Sequence, residues 1–407
     1  MYNYIKNFIF KLFIYFNIII IYLYNSSALN ENCYMDGIQY NLQYSLPSNK
    51  SIKGKPFSCK LLPYLKELKL LDKNDFFDLT KENVSQPKVV TGFSDNHLKE
   101  AALLLKSFKK YFPNDKIIVY DLGLSKRNVK KLKKFCFVEY RKFNFKKYPK
   151  HVSIIKTYAF KILIAAEVLK EYNSIFWADA SVRFKKSNLS YVYDLLNCNF
   201  GKKNNHRIIE QQKLGNGYRK NIYKNIYRNE KCSECYWHFN YKGFDKNLYK
   251  FNVNHCYKFS ILLHVPTFHG ILPTIHKYVY NYFPTDEERY TNRSISRQYD
   301  AAFSLMVKTE DAVENVLKWA VLCALDKNCI QPIEWYNCGG HFTKENIFSK
   351  EHICYRFDQS ILSLLLHNAN NYDNRNYVSE IYNFAFLGRK NKISIDKIKL
   401  SCKKKRT

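Results

Sequence analysis

From Lys88 onward the chain alternates short apolar runs with longer stretches in which apolar residues recur every three or four positions. Lys88–Phe93 is a β-branched run that predicts a strand. Ser94 and Asp95 offer cap chemistry ahead of Leu98, Ala101, Ala102, Leu105 and Phe108, a spacing that predicts a helix ending near Pro113. Lys116–Tyr120 predicts a second strand, Ser125–Phe135 a basic helix and Phe137–Phe143 a third strand. A long helix is expected over Val152–Tyr172, with Ile154, Tyr158, Ile162, Ala165 and Leu169 on one face. Ser174–Asp179 then predicts a fourth strand, and it ends in a carboxylate. Order resumes at Ser260–Val265 and Asp300–Val307, followed by helices over Asp311–Leu325 and about Gln359–Asn368. Strands that alternate with helices in this way argue for an α/β domain with right-handed crossovers and a largely parallel sheet.

Four regions lack this rhythm. Lys6 and Lys11 flank an apolar run from Leu12 to Tyr24, followed by Ser26, Ser27 and Ala28. The run is shorter than the roughly 20 residues of a typical spanning helix, and residues 1–28 read as a signal peptide or, uncleaved, as a signal anchor. Residues 29–86 read as a stem or irregular N-terminal extension, and residues 199–258, basic and Asn-rich, as an insertion. Residues 396–407 form a basic tail.

Twelve cysteines behind a signal segment imply a disulfide-forming compartment. Sequons at Asn25, Asn49, Asn83, Asn188 and Asn292 are glycosylation candidates where exposed. Cys232, Cys235 and His238 allow zinc ligation, but a disulfide suits an oxidising lumen better. The expected location is therefore the secretory pathway, either as a Golgi or ER lumenal type II membrane protein or secreted.

Lys and Arg number 66 against 35 Asp and Glu, a formal net charge of +31. The basic residues are dispersed, and no nucleic-acid-binding signature accompanies them, so no nucleic-acid partner is expected. Two readings remain: a solvated basic surface, or attraction to nucleotide-sugars, sulfated glycans or acidic membrane surfaces.

Asp179 carries the sharpest chemistry. A carboxylate at the end of a strand suits a divalent metal bridging nucleotide phosphates, and it equally suits a turn cap. Lys161 borders the apolar stripe of the long helix; it can reach a pyrophosphate as a point charge or snorkel to water. Asp358 either caps the last helix or projects into a cleft, with Gln359 placed to bind a sugar hydroxyl. His264, His269 and His276 cluster in one segment, as structural residues or with one serving a metal. There is no G-x-G-x-x-G, no Walker A and no local Ser-His-Asp or Cys-His signature.

Taken together, Val89-Val-Thr-Gly-Phe-Ser-Asp-Asn-His97, Val119–Leu124, Arg141–Val152, Trp177-Ala-Asp-Ala-Ser-Val-Arg-Phe184 and Tyr355-Arg-Phe-Asp-Gln-Ser360 resemble a family of secretory-pathway proteins. That family is similar to nucleotide-diphospho-sugar transferases of the GT-A fold. The resemblance spans roughly residues 87–390 apart from the insertion, within a domain expected over 87–395. It implies a GT-A-like Rossmann-type sandwich with a mostly parallel central sheet and helices on both faces. It also implies transfer of a sugar from a nucleotide-sugar donor to a glycan or glycoprotein acceptor. Val90, Thr91, Gly92 and Phe93 would line the base. Lys161 would assist at the diphosphate, and Asp300 and Ala301 would border the donor sugar. Asp358 and Gln359 would lie near the acceptor and anomeric carbon. Asp179 matches the first Asp of a D-x-D motif for Mn²⁺ or Mg²⁺, and Ser181 stands where the second Asp belongs. That departure favours an alternative: a catalytically inactive secreted protein of the same fold that binds anionic glycans.

Overall fold

The structure, a computed structural model, describes residues 32–193, 195–197, 260–293, 295–333, 338, 341–343, 345–379, 385–388 and 392–398. The predicted signal segment, the 199–258 insertion with Cys232, Cys235 and His238, the sequon at Asn25 and most of the basic tail lie outside the described residues.

Two small hairpins, β1 (Cys33–Met35) with β2 (Ile38–Tyr40) and β3 (Ser45–Leu46) with β4 (Asn49–Lys53), precede helix α1 (Leu62–Glu67). The central motif then runs β5 (Lys88–Phe93), α2 (Leu98–Tyr111), β6 (Ile117–Asp121), α3 (Lys126–Leu132), β7 (Val138–Lys142), α4 (Ala159–Tyr172) and β8 (Ser174–Ala178). A short β9 (Val182–Phe184) follows, then the long strands β10 (Ile261–Gly270) and β11 (Arg297–Val307), helices α5 (Lys318–Leu325) and α6 (Asp358–Ala369), and β12 (Ala385–Leu387), which pairs with β9.

The six-stranded sheet has the order β10-β11-β8-β5-β6-β7. Strands β7, β6, β5 and β8 are parallel, while β11 runs antiparallel to both β8 and β10. Alternation along the strands feeds two cores. Val90, Ile118, Tyr120, Ile175 and Trp177 pack with α4, α5 and α6, whereas Val89, Ile117, Val119, Phe176 and Ala178 pack with α2. Both faces of a parallel sheet are thus covered, as its unbroken apolar strands require. The expected α/β sandwich, mostly parallel with helices on both faces, is the observed architecture.

Three details differ from the sequence expectations. The long helix begins at Ala159, not Val152: 3₁₀ turns occupy Lys150–Ser153 and Ile155–Thr157, and Tyr158 adopts a left-handed backbone (φ 54°) that an α-helix cannot continue through. Ile154 and Tyr158 are accordingly exposed. The helix expected at Asp311–Leu325 contains a π-helical stretch, Val313–Leu317, ahead of α5. The expected stem is folded into the body. Leu42, Tyr44, Phe57, Leu61, Leu62, Leu65, Leu68 and Leu70 join the same core as α4 and α6, and Tyr44 sits edge-on to Phe283 (5.2 Å) and Trp319 (5.4 Å).

Disulfides join Cys33 to Cys59, Cys323 to Cys329 and Cys338 to Cys354. No helix among the described residues is long and apolar enough to cross a membrane.

Candidate functional site

After β5 the chain moves outward on one side to β6 and β7, then returns to place β8 on the other side of β5. This reversal opens a crevice at the carboxyl ends of β5 and β8, the position where open α/β sheets bind ligands. The two strands are in parallel register with Val90 opposite Trp177, so Asp179, one residue beyond β8, stands at that crevice.

The backbone holds Asp179 from both sides. Its N–H donates to the Ala302 carbonyl (2.8 Å), and its own carbonyl accepts from Val182 (2.9 Å). Trp177, two residues back on the same face, donates its indole N–H to Asp179 Oδ1 (2.6 Å). Lys161 approaches from the first turn of α4, with Nζ 3.1 Å from Asp179 Oδ1 and 3.0 Å from Asp358 Oδ2. It also donates to the Ala301 carbonyl (3.4 Å) and lies over the rings of Tyr158 and Trp177. Lys161 and Asp358 keep only 9% and 7% of their side chains exposed, whereas Asp179 keeps 31%, so the cluster opens to solvent at Asp179.

Burial opposes the charge on Lys161, but Asp179, Asp358 and Asp300 outweigh it and raise its pKa above the ordinary lysine value. Burial raises the pKa of Asp179 against the pull of Lys161. Asp358 is pushed up to about 6 by burial and by the neighbouring Asp179, with Lys161 opposing. An ammonium shared by two carboxylates favours the ionised form of each and ties the three groups together.

Two backbone outliers aim these side chains. Tyr158 lies three residues before Lys161, and Phe357 (φ 45°) immediately precedes Asp358. Positive φ is costly for an aromatic residue, and strain of this kind gathers at functional sites. Beside Asp358, the Gln359 amide donates to Gln298 Oε1 of β11 (2.9 Å), both residues being buried. Asp300 Oδ1 accepts from the Ala302 N–H (2.8 Å), which shapes the bend of β11 beside Lys161.

Asp179, Lys161, Asp358, Gln359, Asp300 and Ala301 therefore converge from four elements. Of the other expected donor residues, Val90, Thr91 and Phe93 have buried side chains and Gly92 is half-buried. Val90 and Phe93 pack into the two opposite cores, Thr91 is fully buried, and Gly92 lies beneath Ile164, Leu122 and Trp177. The accessible residues there are those after the strand, Asp95, Asn96 and His97. Nor do the three histidines gather. His264 bonds Ser379 Oγ (2.6 Å), His269 the Gly270 carbonyl (2.9 Å), and His276 caps a turn at Tyr278. Burial pushes both His264 and His269 down to about 3, so they are neutral.

A divalent cation requires several oxygen ligands at roughly 2.0–2.6 Å. Asp179 Oδ1 is already engaged by an indole and an ammonium, and the next carboxylate position holds the buried Ser181. No group of three His, Cys, Asp or Glu side chains able to hold a metal occurs among the described residues. The donor set does not fit the expected Mn²⁺ or Mg²⁺ cage.

Three contributions escaped the sequence reading: the Trp177 indole, the Gln298 partner of Gln359, and a His97–Glu100 pair (3.0 Å) after β5. Two of them leave a local trace: the i,i+2 spacing of Trp177 and Asp179 and the i,i+3 spacing of His97 and Glu100.

Residues 32–166 match the model of a family described as "Protein of unknown function (DUF1647)". No curated protein matches the chain. Among solved structures, it is similar to the galactosyltransferase LgtC in complex with donor and acceptor sugar analogues, at 12% identity, over 69% of this chain and 70% of that one, with a TM-score of 0.31. An active-site mutant of LgtC aligns with the same values. The bifunctional glycosyltransferase WbbM aligns over 27% of this chain and 21% of its own, at 20% identity and a TM-score of 0.21. At such scores the functional reading rests on the chain's own site.

Proposed function

We propose that this protein transfers a sugar from a nucleotide-sugar donor to a glycan or glycoprotein acceptor in the lumen of the secretory pathway. The observation that carries the reading is the convergence of Lys161, Asp179 and Asp358, each from a different element, at the reversal point of the sheet. Asp300 and Ala301 border the donor sugar, Lys161 fixes the carboxylates beside the leaving diphosphate, and Gln359 binds a sugar hydroxyl. In an inverting reaction the Asp358 carboxylate, largely ionised at neutral pH, takes the proton of the acceptor hydroxyl as its oxygen bonds to the anomeric carbon. The bond from that carbon to the diphosphate breaks, and the diphosphate leaves with the electron pair. The lumenal setting is supported by the three disulfides and by exposed sequon asparagines at Asn49, Asn83, Asn188 and Asn292.

Ser181, in the place of the second carboxylate, favours a second reading, a catalytically silent protein that binds anionic glycans. One thermal-shift panel separates the two: UDP, GDP and their sugars, with and without Mn²⁺, beside Asp179→Ala. A ligand at a hundredfold excess over Kd stabilises by roughly 2.7 kcal/mol. A shift with one nucleotide family that is lost in Asp179→Ala supports the transferase. No shift with any nucleotide, together with salt-sensitive heparin binding, overturns it.

A further inference from the structure

We propose that His97, held by Glu100, is a hydrogen-bond donor to the diphosphate of the nucleotide-sugar, facing Asp179 across the crevice. This rests on the donor site described above and gives a role to the last residue of the Val89–His97 motif, to which neither the resemblance nor the metal expectation assigned one. His97 follows β5 by four residues, and Asp179 follows β8 by one. Because β5 and β8 are adjacent and parallel, both residues rise from the same edge of the sheet. His97 Nδ1 is 3.0 Å from Glu100 Oε2; the Glu100 side chain is 10% exposed and that of His97 54%. With Nδ1 engaged by a carboxylate, Nε2 is the ring nitrogen left for a ligand, and on an imidazolium it is a donor.

The charged groups facing this pair come from four elements. Glu100 lies on α2 itself and Asp179 at the end of β8; both favour the protonated ring, while Lys392 of the C-terminal segment opposes it. Glu100 also acts electrostatically on Arg183 of β9. The hydrogen bond to Glu100 is the largest influence, and the His97 pKa is raised. A histidine whose protonated, donor form is favoured by Glu100 therefore stands at the crevice where the residue pattern offers Ser181 instead of a second metal-binding carboxylate. The ligand class that this chemistry recognises is a nucleoside diphosphate.

The test is calorimetric titration of UDP, GDP and uridine into the purified full-length protein from pH 5.5 to 8.5, with EDTA present throughout. Wild type, His97→Gln and His97→Lys are compared. The expected result is diphosphate affinity that falls as pH rises through the His97 transition. His97→Gln should bind the nucleotide roughly tenfold more weakly at low pH, about 1.4 kcal/mol, with a flat profile. His97→Lys should restore the affinity without the pH step, and uridine should be indifferent to all three. Nucleotide binding that is equal in wild type and His97→Gln, with the same pH profile, overturns this assignment and leaves the donor site standing. Failure of the wild type to bind any nucleotide, with EDTA or with added Mn²⁺, overturns the donor site and this assignment with it.

Discussion

Replacing Lys161 with Met keeps a stem of similar length and removes the ammonium that Asp179 and Asp358 share. Deleting one partner of a buried ion pair typically costs about 3–5 kcal/mol, because the remaining charge is stranded. Two features moderate the loss. Asp179 is 31% exposed, so water screens one of the two carboxylates. Asp358 can bind a proton, since burial already holds its pKa at about 6. A loss of about 3 kcal/mol at pH 8 is expected, which at about 2–4 °C per kcal/mol lowers Tm by about 6–12 °C. The pH dependence has a definite sign. A carboxyl whose pKa is raised on folding binds its proton more tightly in the native state, so this group adds stability as pH falls through about 6 toward the ordinary carboxylate range. Without Lys161 the Asp358 pKa climbs further, and the protonated form is reached at higher pH. The Tm deficit of Lys161→Met should therefore shrink between pH 8 and pH 5, and Asp358→Asn in the same chain should recover much of it. Scanning calorimetry of the single and double variants across that range checks this. A single variant within about 1 °C of wild type at every pH would refute the buried position of Lys161.

Gly54 tests the folded N-terminal segment, because an added Cβ would collide with the backbone carbonyl of Tyr282. Gly54→Ala should destabilise by about 1–3 kcal/mol in chemical unfolding, whereas a detached stem would leave stability unchanged. Opening the Cys338–Cys354 bridge, which spans 16 residues, by a double Cys→Ser change should cost about 3 kcal/mol, read as a lowered denaturant midpoint. Gln298→Leu leaves the Gln359 amide without its acceptor, a cost of about 1–3 kcal/mol. It should weaken binding of a UDP-sugar while sparing UDP, and an equal loss for both ligands would count against the sugar-side role of Gln359.

The strands and their order along the chain were legible because a fully buried strand is apolar throughout: Lys88–Phe93 begins and ends where the sequence places it. The start of α4 was not legible, since a left-handed tyrosine has no compositional mark and the apolar period runs straight through Tyr158. Asp179, Lys161 and Asp358 could each be singled out, yet their contact could not, because an ion pair between α4, β8 and α6 depends on how distant elements pack. The fate of Val90 and Phe93 shows the converse. A motif that borders a site in sequence can have its side chains taken up by the two cores, while the residues just after it are exposed. The N-terminal segment looked irregular because its one α-helix is only 6 residues long and its leucines find their partners in the core shared with α4 and α6.

The central claim is that a nucleotide-sugar sits at the carboxyl ends of β5 and β8. Hydrogen–deuterium exchange on the full-length protein, with and without the nucleotide-sugar that gives the largest thermal shift, tests it most directly. The account predicts added protection in peptides covering Ser94–Leu98 and Ala178–Arg183, and at Phe357–Gln359. Protection confined to other parts of the sheet, with these three segments unchanged, would contradict it.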